Sequence, residues 1–139
     1  MRYALLESQR DTLLLVARIL MMLLFVLFGW EKLTDFGGTS AYMAAEGLPL
    51  PAVAVAAAVV IVMEFFVGLA IVLGFWTRPL ALLLALYTLG TALIGHHYWT
   101  MTGAEHMANM INFYKNLSII GGLLLLCLTG PGRYSIDRR

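Results

Sequence analysis

The chain has 139 residues, of which 61% are hydrophobic and only 12% charged, and its mean hydropathy is +0.86. A soluble domain of this size, with about a quarter of its residues charged, could not hide so much apolar surface, so the composition specifies an all-α, polytopic integral membrane protein. The net charge of +1 gives no basis for nucleic-acid binding, and the single cysteine, Cys127 in the apolar run LLLLCL, excludes an internal disulfide and a CxxC redox pair.

Residues 1–11 form a short charged tail. Residues 12–33 are long enough to span a bilayer, which takes about 20 apolar residues. The apolar part, 12–30, is too long for the core of a cleavable signal peptide, and no small-residue cleavage site follows before Glu31 and Lys32. Residues 35–51 read as a loop with Gly37-Gly38 and Pro49-x-Pro51 as breakers, and SAYMAAEG within it as a short interfacial helix. A second span covers 52–76 and opens on small residues (AVAVAAAVV) that permit close helix approach. Thr77-Arg78-Pro79 reads as a tight turn, with Pro79 at the first position of a third span over 79–99. A fourth span covers 108–129 and stops at Gly130-Pro131-Gly132, leaving a polar tail, RYSIDRR. Four spans with short connections predict a four-helix antiparallel transmembrane bundle forming a single domain over 1–139.

The basic residues orient the bundle. An even number of spans puts both tails and the 77–79 turn on one side. That side carries Arg2, Arg10, Arg78, Arg133, Arg138 and Arg139, against Lys32 and Lys115 towards the other. The positive-inside rule then places both termini in the cytoplasm. Trp30, Trp76 and Trp99 sit near span ends, where an aromatic belt anchors helices to the interface.

Polar residues inside the spans need a reason, because each charge costs about 2.5–3.5 kcal/mol on insertion scales. Arg18, Glu64 and Lys115 are such residues. At 1.5 Å per residue, Glu64 and Lys115 lie at similar depth, roughly 20 Å above the cytoplasmic edge, with Arg18 about 10 Å up. This makes Lys115 or Arg18 the expected partner of Glu64. Arg18, Met22, Phe25, Gly29 and Lys32 recur at helical spacing on the first span; Thr88, Thr91 and Gly95 do so on the third, bordered by His96; Asn109, Asn112 and Asn116 do so on the fourth, beside Lys115. Together they predict a polar upper half inside the bundle, lined by Phe25, Phe65 and Phe113 and open to the periplasmic side. A single buried ion pair could equally serve only to fix helix register. The addition of His96, Asn112, Tyr114 and Asn116 to the same region favours a binding site, since register needs only one pair. No metal site is expected: His96 and His97 diverge on a helix and no H-x-x-x-H pair exists. No facing histidine pair suggests haem, and no motif encodes a cofactor.

The pattern R-I-x7-F-G-x-x-K-L from Arg18 to Leu33, followed by Met63-Glu64 and by GFWTRP at 74–79, resembles the DoxX family of small bacterial membrane proteins. The segments YTLGTALIGHHYW (87–99), NMINFYKN (109–116) and GPG-x-x-S-I-D-R-R resemble its YphA-like inner-membrane branch more closely still. The resemblance covers nearly the whole chain. It implies four transmembrane helices, an inner-membrane location, and functional roles for Arg18, Lys32, Glu64, His96, Lys115 and Asn116. Family members include small subunits of thiosulfate:quinone oxidoreductase systems and membrane partners of detoxifying oxidoreductases.

Two functions follow as expectations. One is a redox-linked membrane subunit that binds a quinone-like molecule through Arg18, Lys32, Glu64, His96, Asn112, Tyr114, Lys115 and Asn116, beside a partner oxidoreductase or a second copy of itself. The other is a non-catalytic module that binds a lipid or supports assembly of a partner protein. The residues leave open whether the chain is an enzyme.

Overall fold

The computed structural model describes residues 5–138, and the described residues contain helices and no strands. Arg2 and Arg139, counted in the orientation argument, lie outside them. Helix α1 runs from Arg10 to Thr34, α2 from Phe36 to Ala45 and α3 from Leu50 to Ile61. A π-helical turn, Val62–Val67, joins α3 to α4, Gly68–Leu73; α5 covers Thr77–Gly95 and α6 covers Gly103–Thr129. Four segments are long and apolar enough to cross a membrane: Glu7–Thr34, Leu50–Leu73, Thr77–Thr100 and Gly103–Thr129. The protein is thus a polytopic all-α membrane protein.

Several boundaries depart from the expected ones. Gly37 and Gly38 do not break the chain; they lie in the first turn of α2, because the Asp35 carboxylate accepts the Gly38 N–H at 3.0 Å and caps the helix. Pro79 is the third residue of α5 rather than the first, still within the turn whose N–H groups have no helical partner. Helix α5 ends at Gly95, so His96 and His97 lie in the turn that follows it, within the Thr77–Thr100 segment but not on its α-helix.

The predicted stripe on α1 is the buried one: Arg18, Met22, Phe25 and Gly29 are its buried residues. Met22 and Phe25 join Met63, Val67, Ile71, Ala81, Leu84, Leu123 and Leu126 in the core. Helix α1 packs closely on the π-turn and α4, and α5 packs along α6 for much of its length, whereas α6 meets α1 only sparsely. Helices α3 and α5 make no close backbone contact. The bundle is therefore tight at the end holding both termini, here the proximal end, and parted between α3 and α5 in its distal half.

The proximal end is closed by the C-terminal segment. Gly130, Pro131 and Gly132 are buried, and the residues after them fold back across the helix ends rather than trailing as a polar tail. Asp137 accepts the Trp76 and Thr77 N–H groups at 3.0 Å each, capping α5. Ile136 and Asp137 donate their N–H groups to the Leu73 and Gly74 carbonyls, and Asp11 accepts the Arg133 N–H. Arg78 donates to the Cys127 and Leu128 carbonyls, which α6 leaves without helical partners. Gly74, at φ +73, has Arg18 and Ser135 so close that a Cβ could not be accommodated.

Candidate functional site

The site starts from a close approach of two helices. A Cβ on Gly29 would stand 2.5 Å from the Phe65 backbone nitrogen and 2.9 Å from the Glu64 carbonyl carbon, so only glycine lets α1 lie against the π-turn. A π-turn inserts one residue into the helical register, a distortion frequent at functional sites. Here it turns Glu64 towards α1. Lys32, one turn beyond Gly29, places its Nζ 2.6 Å from Glu64 Oε2. From the other side Tyr87 of α5 donates its hydroxyl to Glu64 Oε1 at 3.0 Å. The carboxylate thus bridges three spans, with both oxygens engaged. Lys32 Nζ also lies 5.9 Å from the centre of the Phe28 ring.

This triad forms the floor of a cavity of about 870 Å³ in the gap between α3 and α5, with α1 and α2 as its remaining walls. Ala56 and Val60 face it from α3; Gly90, Thr91, Ile94 and Gly95 from α5; and Tyr42, Met43 and Glu46 from α2 and the turn after it. The walls are mostly apolar. Glu31, Asp35 and Glu46 are exposed at the rim, while Lys32 and Glu64 are 31% and 16% exposed. Burial, and after it the neighbouring Glu46 carboxylate, pushes the Tyr42 phenol above the usual tyrosine range. His97 also lines the cavity; its Nδ1–H donates to the Ile94 carbonyl at 2.8 Å.

The expected residues divide into those that meet here and those that do not. Lys32 and Glu64 form the centre of the site. The predicted partners of Glu64 do not reach it. Arg18 is fully buried but turns towards the proximal end, donating Nη2–H to the Tyr134 carbonyl, while its Nε and Nη1 find no partner among the described residues. Lys115 is exposed on the side of α6 away from the cavity, beside a recess of about 330 Å³ formed with Met110, Ile111, Tyr114 and Ser118. Similar depth did not bring Lys115 to Glu64, because α6 packs on α5 and its polar stripe is rotated outward. Asn112 is likewise exposed, and neither it nor Asn116 lines the cavity.

His96 donates from Nδ1 to Asn109 Oδ1 at 2.9 Å, and Asn109 donates in turn to the Glu105 carbonyl, so this pair pins the turn onto the start of α6. His106 Nδ1 lies 2.9 Å from the Tyr98 carbonyl and braces the same turn. Tyr98, Trp99, Phe113 and Tyr114 pack edge to face around it, so Phe113 belongs to this cluster and not to the cavity. Phe65 packs against Trp30 and Phe66, and Phe25 lies in the core. The aromatic residues lining the cavity are Phe28, Tyr42 and Tyr87. Tyr87 escaped the sequence reading although the signal was present: it precedes Thr91 and Gly95 at helical spacing of four.

With the site described, its relatives can be placed. The profile of the DoxX family matches residues 13–97. The chain belongs to the DoxX family. It is 54% identical to inner membrane protein YphA of Escherichia coli (strain K12), covering all of this chain and 98% of that protein. Inner membrane protein YqjF of the same organism is 48% identical over 95% of each chain. A distant likeness, 26% identity, extends to ER-derived vesicles protein ERV29 of Saccharomyces cerevisiae (strain ATCC 204508 / S288c), over 96% of this chain but 35% of that protein. No solved structure matches the chain. Together with the four spans, these relatives make it an integral inner-membrane protein. The cavity lining, from Phe28 to His97, falls wholly within the matched segment, and α6 lies beyond it.

Proposed function

We propose that this DoxX-family protein binds a flat, quinone-like amphipathic molecule in its distal cavity, and serves as the membrane subunit of a redox system whose electrons pass through a partner oxidoreductase. The observation that carries the reading is the Lys32–Glu64–Tyr87 triad at the floor of an apolar cavity of about 870 Å³. Small-molecule sites are typically apolar clefts of about 300–1,000 Å³ with a few convergent polar groups, which describes this one. A register-fixing ion pair would need no void beside it, and in a membrane such pairs are usually packed over by neighbouring helices. Lys32 keeps N–H donors for a quinone carbonyl beyond the one given to Glu64, Tyr87 holds the Glu64 carboxylate in place, and Glu64 can hold or release a proton as the ring is reduced or oxidised. The parting of α3 from α5 gives a bilayer-dissolved ligand a lateral way in.

Orientation belongs to the same proposal. The proximal end carries Arg10, Arg78, Arg133 and Arg138, which favours a cytoplasmic position for it, with the cavity in the periplasmic half. Reporters fused after Arg139 and inserted at Arg78 should read cytoplasmic, and one near Gly38 periplasmic; a periplasmic C-terminus would invert the scheme.

The deciding experiment is ligand extraction from protein purified in neutral detergent, followed by mass spectrometry, alongside titration with a short-chain quinone. Co-purified quinone, or saturable quinone binding lost in Glu64→Gln with Lys32→Met, supports the proposal. A phospholipid as the sole occupant, with no quinone binding, replaces it with a lipid-binding module.

A further inference from the structure

The rim of the cavity carries a charge pattern that the floor does not explain. Of the four carboxylates in the lining, Glu64 is matched by Lys32 at 2.6 Å. Among the described residues Glu31, Asp35 and Glu46 have no such counter-charge: Asp35 accepts the Gly38 N–H as a helix cap, and His97 is the remaining titratable base in the lining, its Nδ1–H committed to the Ile94 carbonyl. Three negative groups therefore stand at the entrance to an apolar chamber whose low-dielectric walls focus their field, with salt able to screen it. A second feature has the same sign preference. Phe28, Tyr42 and Tyr87 present aromatic rings to the same space, and ring faces attract cations. Lys32, held over Phe28, shows that an ammonium group is accommodated beside these rings.

We propose that the cavity selects its occupant by charge: it admits lipophilic cations, an apolar or aromatic body bearing a quaternary or protonated centre, alongside neutral rings, and rejects lipophilic anions. In the bound state the apolar body lies between α3 and α5, and the cationic centre sits near the rim among Glu31, Asp35 and Glu46. Anionic lipids are thereby kept out of a chamber that opens sideways to the bilayer. This inference rests on the reading of the cavity as a ligand site, but not on the ligand being a quinone.

Tetraphenylphosphonium and tetraphenylborate are near-identical in shape and opposite in charge, which makes them suitable probes. Their binding would be measured by equilibrium dialysis on the full chain in a neutral maltoside, beside decylubiquinone as the uncharged probe. Each would be compared between wild type and the variant Glu31→Gln, Asp35→Asn, Glu46→Gln, so that partition into detergent cancels for a given probe. All three side chains are exposed, and asparagine keeps an oxygen for the Gly38 N–H, so the variant should fold. Phosphonium affinity should fall about tenfold in the variant, borate affinity should rise or stay negligible, and quinone affinity should change less than about twofold. Raising the salt should weaken phosphonium binding to wild type and leave the variant nearly unaffected. Equal response of phosphonium and borate to the variant overturns charge selection while leaving the cavity a ligand site. Phosphonium binding without quinone binding supports charge selection and removes the quinone reading. Binding of none of the three probes overturns both.

Discussion

The two ends of this bundle use polar residues in opposite ways. At the proximal end Arg78 and Asp137 reach across the chain to backbone groups at helix ends, Asp11 holds the C-terminal segment by the Arg133 N–H, and Arg18 is sealed beneath that segment. None of these residues lines either of the two cavities described. In the distal half Lys32, Glu64 and Tyr87 engage one another, and the same groups border an open chamber. Within a bilayer a polar group carries a cost wherever it sits. At one end that cost is offset by closing the fold, whereas at the other the groups remain within reach of an incoming molecule. The comparison teaches that an intramembrane charge marks function by what lies beside it, not by its depth.

The largest effect should come from breaking the distal triad on one side only. Glu64→Ala leaves the Lys32 ammonium without its partner; removing one member of a fully buried pair costs about 3–5 kcal/mol, and this half-buried pair should approach the lower end of that range. A large fall in the thermal midpoint of the purified protein is expected. Glu64→Gln combined with Lys32→Met removes both charges and should recover most of that stability. Ligand binding should not recover, because the Lys32 donor and the proton-holding carboxyl are gone. Recovery of both would make the triad a packing device like those at the proximal end, and the contrast between the ends would collapse.

A smaller effect is expected from forcing α1 off the π-turn. Gly29→Ala sets a Cβ against backbone atoms of Glu64 and Phe65, which cannot swing aside as a side chain could. Overpacking of this kind costs about 1–3 kcal/mol. Because Lys32 rides on the same helix, ligand affinity should fall together with stability. Asp137→Ala, at the other end, should cost at least what a lost helix cap does, about 0.5–2 kcal/mol, since Asp137 also acts on the charge of the buried Arg18. Here stability should fall while ligand affinity stays the same, measured on the fraction that remains folded. An equal loss of affinity in Asp137→Ala would mean that the two ends are coupled.

Much of this contrast was legible in the sequence, for identifiable reasons. The α1 stripe from Arg18 to Lys32 could be read because helical periodicity is a local property, and its buried residues are those the spacing named. The spacing of Gly29 and Lys32 also held the close approach and the ion pair, although nothing in it named Glu64 as their neighbour. The pairing of Glu64 was misread because depth along a helix says nothing about rotation around it. Helix α6 turns Lys115 and Asn112 outward, and only the packing of α6 on α5 decides that. The π-turn was invisible, since VMEFFV carries no breaker and its extra residue is imposed by tertiary contact. The C-terminal strap was hidden for a related reason: a short polar segment reads as a solvated tail until the helix ends that it caps are brought together.

The smallest predicted effect tests the misread residue directly. Lys115 sits at the depth that first made it a partner for Glu64, but it is exposed beside Met110, Ile111, Tyr114 and Ser118, outside the cavity. In α6 the side chains tilt towards the helix N-terminus. That direction is the distal surface, so the ammonium can extend along the helix to the interfacial region as long basic side chains near a membrane edge do. Its charge is then held by water and headgroups, not by the bundle. Lys115→Met should change stability by no more than about 0.5 kcal/mol, as exposed substitutions away from special features do. It should leave quinone and phosphonium affinities within about twofold of wild type, in contrast to the loss of quinone affinity expected from Lys32→Met. The two lysines are the only two in the chain, so the pair of variants asks one question of both: whether a lysine acts by being in the membrane or by what it faces there. If Lys115→Met abolished binding while Lys32→Met did not, the site would have to be moved to the outward face of α6.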